Sequence, residues 1–399
     1  MSKIHVLKGI IQNYAWGGQT FIPDLLNIQS THEPYAEYWL GAHKNAPSML
    51  LDYNKTLDSW IADNTVEILG DDIANRFGIL PFLFKVLDVN DMLSIQVHPS
   101  KLEAKKGYEI ENKLQIPLNA PNRNYKDENH KPEIMVALSD FWLLHGFLPE
   151  KTLKNTLQTI PEFGHLVTVF ESEGYRGLYK KVMEESEMTT REILQPLIDR
   201  ILPKFKSGEL KKSSADFWAA KAYLSFCKDG KIDKGIYSIY FFNIVNVLPG
   251  EAVFQGAGIP HAYLEGQNME LMANSDNVLR GGLTPKHVDV SELLKHVCFE
   301  ATHPKILKGD IQSDGLERIY KSPAPDFELS KIDLDTENVY SSTNSSAAIL
   351  LVLDGDMKVY EEDGELNLKK GEACFIDAKA NFKISTPSTV TAFKATTPI

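Results

Sequence analysis

Val247-Leu-Pro-Gly-Glu-Ala-Val-Phe254 and Leu368-Lys-Lys-Gly-Glu-Ala-Cys-Phe-Ile376 are two renderings of one pattern. In each, an apolar run enters a Gly-Glu turn and a second apolar run leaves it. A hairpin of this kind is a piece of a jelly roll, and its recurrence predicts two such barrels. Around the first copy, short apolar runs alternate with Gly, Pro, Asn and Asp. Leu80-Pro-Phe-Leu-Phe-Lys-Val-Leu87 and Ile134-Met-Val-Ala-Leu138 are examples, and they read as antiparallel strands. Around the second copy, Asp354-Gly355, Glu362-Asp-Gly364 and Lys370-Gly371 punctuate strand texture from about Tyr320 onward.

Between the copies the texture turns helical. Ile193, Leu194, Leu197, Ile198, Ile201 and Leu202 recur at i, i+4 spacing and mark one helical face. Thr189 or Thr190 is the expected cap, which leaves Pro196 in the first turn or two. A second helix is expected over Ala215–Phe226. Smaller helices are expected near Ser59 to Ile68 and from about Ser100. Ile236-Tyr-Ser-Ile-Tyr-Phe-Phe-Asn-Ile-Val-Asn-Val247 reads as a returning strand. The fold class is therefore mainly β. The expected division is residues 1–148 and 231–310 for the first barrel, 149–230 for an all-helical insertion, and 311–399 for the second barrel.

The chain's 399 residues are enough for a large core, and its formal charge is −12 with scattered basic residues. That balance argues against nucleic acid and anionic membrane as partners, so an anionic substrate needs local cations. Cys227, Cys298 and Cys374 form no Cys-x-x-Cys pair, which argues against a cysteine metal cage and for a reducing compartment. No long apolar segment follows Met1, and Ile236–Leu248 is too polar to span a bilayer. The expected setting is cytoplasmic, as a monomer without a partner protein.

Three segments place polar side chains where strands should be apolar. In Leu93-Ser-Ile-Gln-Val-His-Pro99, alternation puts Ser94, Gln96 and His98 on one face. In Asn129-His-Lys-Pro-Glu133, Glu133 opens an apolar strand and Lys131 lies on its side. Gly256-Ala-Gly-Ile-Pro-His261 sets His261 after a Gly-rich turn. Two His and one Glu are a sufficient protein set for catalytic zinc or non-haem iron, and Gln96 offers a neutral oxygen. With 11 histidines, some stand beside motifs by chance. His130, in a polar turn, fits a ligand position less well. No phosphate-binding loop, His-Glu-x-x-His or Gly-x-Ser-x-Gly is present.

In these and further segments the sequence resembles the type I phosphomannose isomerases of the cupin superfamily. The further segments are Gln12-Asn-Tyr-Ala-Trp-Gly17, Pro34-Tyr-Ala-Glu-Tyr-Trp-Leu-Gly41, Asp127-Glu-Asn-His-Lys-Pro-Glu133 and Asn274-Ser-Asp-Asn-Val-Leu-Arg-Gly-Gly-Leu-Thr-Pro-Lys286. The resemblance runs from the start to about residue 300. Tyr38 and Leu279 depart from the usual Leu and Val, in packing only. The resemblance implies one zinc ion per chain on Gln96, His98, Glu133 and His261. It implies a cleft lined by Trp16, Glu37, Lys85, Ser94, Lys131, Tyr263, Glu270, Asp276, Arg280 and Lys286. It also implies two cupin-type barrels with a helical insertion. The last segment matches only in kind and holds no His, so no second metal site is expected there.

The implied reaction moves a proton between C2 and C1 of an open-chain sugar phosphate, through an enediol. It needs a base, an electrophile and a phosphate anchor. Lys131 is favoured as base, with His130 second. Arg280 suits the enediolate or the phosphate, and Lys286 and Lys85 suit the phosphate. Two rivals are a cupin oxygenase with iron on two His and a carboxylate, and a sugar-binding cupin without turnover. Neither needs Arg280, Lys286 and a Gln ligand together.

Overall fold

The two Gly-Glu segments fold alike, bond for bond, in the computed structural model, which describes residues 2–399. Gly250 and Gly371 both take left-handed backbone, with φ of 84° and 82°. Leu248 N donates to Glu251 Oε2 (3.1 Å), as Lys369 N donates to Glu372 Oε2 (2.9 Å). Gly250 N donates to Ala137 O and Gly371 N to Val352 O, at 2.8 and 2.9 Å. Each Gly-Glu turn thus ties itself to the strand beside it through the same backbone groups.

These bonds align the strands around them. Strand Glu133–Ala137 corresponds to Ala348–Asp354, Phe141–Phe147 to Asp356–Glu361, and Phe242–Val247 to Gly364–Lys369. In the C-terminal unit the last two strands are joined by Glu362 and Asp363 alone. In the N-terminal unit the equivalent strands still pair, Val247 with Phe141, yet a run of helices lies between them. These include Glu150–Thr159, Val167–Glu184, Glu187–Lys206, Ala215–Phe226 and Gly235–Phe241.

The architecture is mainly β: a ten-stranded, a nine-stranded and a four-stranded sheet. Strand His261–Ala273 is the spine of the ten-stranded sheet. Its first half pairs with Phe141–Phe147 and its second with Phe82–Val89 and Glu133–Ala137. Gly266 lets it turn between these partners, because a Cβ there would lie 2.7 Å from the Phe141 ring. One apolar cluster joins this sheet to the nine-stranded one, with Phe82, Phe84, Ile134 and Leu271 against Ile349, Leu351, Phe375 and Phe393. The chain's first strand, Ile4–Lys8, pairs with Ala373–Ile376 of the C-terminal unit. The helices pack Trp218, Tyr237 and Phe241 onto Ile95, Val97 and Leu144 of the ten-stranded sheet. Among the described residues no helix is long and apolar enough to cross a membrane.

Three local expectations are corrected. Gly235–Phe241 is helical, and the strand starts only at Phe242. All seven helical residues are buried, so no apolar face distinguishes helix from strand there. The cap of Glu187–Lys206 is Ser186, whose Oγ accepts from Thr189 N, in place of Thr189 or Thr190. Pro196 therefore sits in the helix interior, where its missing donor is offset by burial of Leu194, Leu197 and Ile198. The expected helix near Ser59 to Ile68 is two pieces, Leu57–Asp63 and Thr65–Leu69. Ser100 does start Lys101–Lys113, its Oγ accepting from Glu103 N.

Candidate metal centre and cleft

Three strands deliver His98, Glu133 and His261 to one buried point. Gln96–Val97 ends just before His98, Glu133 begins its strand, and His261 begins the long one. The ligand atoms all lie within 4.8 Å of one another. Glu133 Oε1 is 3.3 Å from His98 Nε2, and Oε2 is 3.2 Å from His261 Nε2. His98 is fully buried, and His261 and Glu133 are each 3% exposed.

The second nitrogen of each ring decides what faces the carboxylate. His98 Nδ1 lies 2.8 Å from Asn277 O, and His261 Nδ1 lies 2.9 Å from Ile259 O. A carbonyl only accepts, so both Nδ1 atoms carry hydrogen and each ring turns its Nε2 toward Glu133. Burial pushes His98 down to about 4 against the pull of Glu133, so the ring is neutral at pH 7. Burial also works to raise Glu133, but Lys131, 2.8 Å away, holds it well below the usual carboxylate range. The lone pair of the neutral His98 ring thus points at an ionised carboxylate, and buried His98 Nε2 has no hydrogen-bond partner. That arrangement repels itself and fits a cation.

Glu133 and His261 border a small inner chamber of about 50 Å³, also lined by Gln96, Lys131, Glu37, Lys85, Tyr263 and Glu270. Lys85 Nζ lies 3.3 Å from Glu37 and 3.2 Å from Glu270, and the Tyr263 hydroxyl donates to Glu270. Burial works to lower Lys85, but Glu37, Glu270 and Glu133 outweigh it and hold the ammonium charged. Two ammonium groups, Lys85 and Lys131, thus face three carboxylates, Glu37, Glu133 and Glu270, a balance of −1. A dication reverses that sign and suits the chamber to an anionic ligand.

Glu37, Leu93 and Gln96 also line a wider outer cleft of about 480 Å³. Trp16, Ser94, Arg280 and Lys286 line it, and the helical segment adds Ser225 and Phe226. Arg280 and Lys286 form no ion pair among the described residues. Burial lowers both, and the Arg280 charge lowers Lys286 further.

Residues 4–150 match the family model for the phosphomannose isomerase type I catalytic domain, and residues 317–390 that for the mannose-6-phosphate isomerase cupin domain. The mannose-6-phosphate isomerase of Escherichia coli (strain K12) is 37% identical over 92% of this chain and 93% of its own. That of Mus musculus is 34% identical over 98% of each. A crystal structure of the Salmonella typhimurium mannose 6-phosphate isomerase bound to fructose 6-phosphate and zinc superposes with a TM-score of 0.88, at 33% identity and full coverage of both chains. The chain belongs to the type I phosphomannose isomerases.

Not every residue that the family resemblance offered comes to this cleft. His130, read as second choice for the base, instead holds Asp326 of the C-terminal unit at 2.8 Å and lines neither chamber. Asp276 turns toward His43 (3.3 Å) and Asn45 (3.2 Å), on the wall of a separate cavity with Lys44, Asp58 and Ile61. Lys85 is locked between two carboxylates, which is not the geometry of a phosphate contact. Reading the sequence also missed two supports of this phosphomannose isomerase site. The Asn277 carbonyl orients His98, and its side chain ties down Lys126, Asp127 and Asn129. His145, beside His261 in the sheet, bonds Gln255 at 2.7 Å. A lone His in the apolar run Phe141–Phe147 was the available signal for the second. Asn277 lies within the quoted segment Asn274–Lys286, but nothing in the sequence marked its carbonyl as the partner of His98.

Proposed function

We propose that the chain interconverts mannose 6-phosphate and fructose 6-phosphate at one zinc ion held by Gln96, His98, Glu133 and His261. The observation that carries this is the convergence of His98, Glu133 and His261 on one buried point, with the neutral His98 ring aimed at the ionised Glu133, inside a cleft whose mouth holds two unpaired cations. Zinc there supplies a Lewis acid for the carbonyl and hydroxyl oxygens of the open-chain sugar.

The chain's own residues do the rest. Arg280 and Lys286 hold the phosphate in the outer cleft, beside Trp16 and Ser94. The sugar carbons then reach the inner chamber, where Glu37, Lys85, Tyr263 and Glu270 orient the hydroxyls. Lys131, 9% exposed and next to the ligand carboxylate, would act as the neutral amine that a dication beside it favours, taking the proton from one carbon and returning it to its neighbour through an enediol. Neither His130 nor Asp276 has a part in this account.

The frame for the site is a cupin-type jelly roll, and the strand correspondence supports reading the C-terminal unit as a second one. In the second, the positions of Gln96, Glu133 and His261 are taken by Ser342, Ala348 and Phe382, none of them a metal ligand of the same kind. The helical insertion ends at Phe241, past the expected 230, because Gly235–Phe241 packs with the helices. Three free cysteines, none paired, support a reducing, cytoplasmic setting.

The test is direct. Zinc-loaded protein incubated with mannose 6-phosphate under nitrogen should yield fructose 6-phosphate by NMR, a strong chelator should stop it, and zinc should restore it. Absence of product, or conversion only with dioxygen, overturns the reading and favours the oxygenase.

A further inference from the structure

We infer that Asp233, between helices Ala215–Phe226 and Gly235–Phe241, is a positioning residue for the segment that carries Arg280 and Lys286. This rests on the isomerase reading above, in which those two cations bind the phosphate. Asp233 Oδ1 accepts from Leu283 N at 2.8 Å and from Gly235 N at 2.7 Å, and Oδ2 accepts from Thr284 N at 3.2 Å. On its other side the same segment is bonded to Ile95. Gly281 N donates to Ile95 O at 2.8 Å, and Ile95 N to Gly282 O at 3.0 Å. Ile95 adjoins Gln96, which pairs with Arg280 in the sheet. The cation segment is thus gripped between the strand that carries the metal site and the helical insertion.

The grip leaves no slack. A Cβ on Gly282 would lie 2.6 Å from Gly235 N, and one on Gly235 would lie 2.7 Å from Leu283 N. Leu283 is held at φ 54°, a conformation that side-chain-bearing residues keep only where their surroundings impose it. Lys286 follows at once, its N–H donating to Thr284 Oγ1 at 3.1 Å. Without Asp233, two N–H groups of a strained turn lose their acceptor and the turn relaxes, carrying Lys286 out of register with the cleft. Phosphate is common to both sugars and keeps its charge throughout the reaction. Its loss of contact therefore weakens substrate and transition state alike, which raises KM and spares kcat.

The experiment uses full-length, zinc-loaded protein. Asp233→Ala should raise KM for mannose 6-phosphate and fructose 6-phosphate by the same factor, about 10-fold, with kcat within about 2-fold and zinc content unchanged. Asp233→Asn keeps one oxygen for Leu283 and Gly235 and should raise KM less. Lys286→Ala should act like Asp233→Ala, and the double variant should be no worse than the worse single, because both act through one anchor. A folded Asp233→Ala with wild-type KM overturns the proposal. So does an additive double variant, or a fall in kcat with loss of zinc, which would make Asp233 a general brace. Should the Ala variant not fold, Asp233→Asn decides, and an unchanged KM there overturns the proposal. Failure of the isomerase reading is distinct, since wild-type protein then makes no fructose 6-phosphate.

Discussion

Lys131 and His145 stand close to the same trio and do different work. Lys131 is placed to carry a proton and holds no ligand position, so Lys131→Ala should keep zinc and lose about 10²- to 10⁴-fold in turnover. Metal analysis alongside single-turnover kinetics checks both halves, and normal turnover would move the base elsewhere. His145 has a structural consequence instead. Burial, then the neighbouring His261, push it from 6.5 down to about 4. Its folded value is depressed, so its contribution to stability is full above pH 6.5 and is lost as pH falls toward 4. For a ring only 5% exposed the loss is roughly 3 kcal/mol. Urea unfolding at pH 7 and pH 4.5 should show this acid loss in wild type and a smaller one in His145→Leu. The candidate ligands His98, Glu133 and His261 stand out in the sequence because a strand leaves few reasons for His or Glu on an inward face. His130 misled because its partner, Asp326, lies 196 residues away and no local pattern announces it.

At the scale of single elements, the two Gly-Glu turns make a matched pair with unequal surroundings. Both glycines need left-handed backbone, which costs an L residue about 1–2 kcal/mol. Around Gly250 a Cβ would meet nothing within 4 Å, whereas at Gly371 it would lie 2.1 Å from Leu25 O. Gly250→Ala should therefore cost about 1 kcal/mol and Gly371→Ala roughly 3 kcal/mol or more. Chemical denaturation of the two variants checks the order, and equal costs would mean that the Leu25 backbone yields freely. These turns were readable because Gly-Glu between apolar runs has few other uses. Helix Gly235–Phe241 was not, since a fully buried segment rich in aromatic and β-branched residues carries no period. Its helical state is imposed by the packing of Tyr237 and Phe241 against Phe163.

At the scale of the whole molecule, the two units share one apolar cluster and one strand. Leu7 of the first strand lies in the same cluster as Phe375 and Phe393. Ending the chain near Asp310 removes one wall of that core and leaves Ile4–Lys8 with Met49–Leu50 alone. Such a truncation should be insoluble or bind the hydrophobic dye ANS strongly, even though every proposed zinc ligand remains. A soluble, zinc-binding fragment would show that the units fold independently. The sequence displayed both units, but not this dependence, because a pairing between the two ends of a chain leaves no mark in either.

That shared strand also sets a clock. Ile4–Lys8 leaves the ribosome long before its partner Ala373–Ile376. At about 5–20 residues per second the wait is on the order of 20–80 s. Throughout it, one edge of the leading strand stays open, with Ile4 and Leu7 uncovered. The nascent enzyme is thus most prone to sticking to its neighbours before translation ends, and a slower ribosome lengthens the risk.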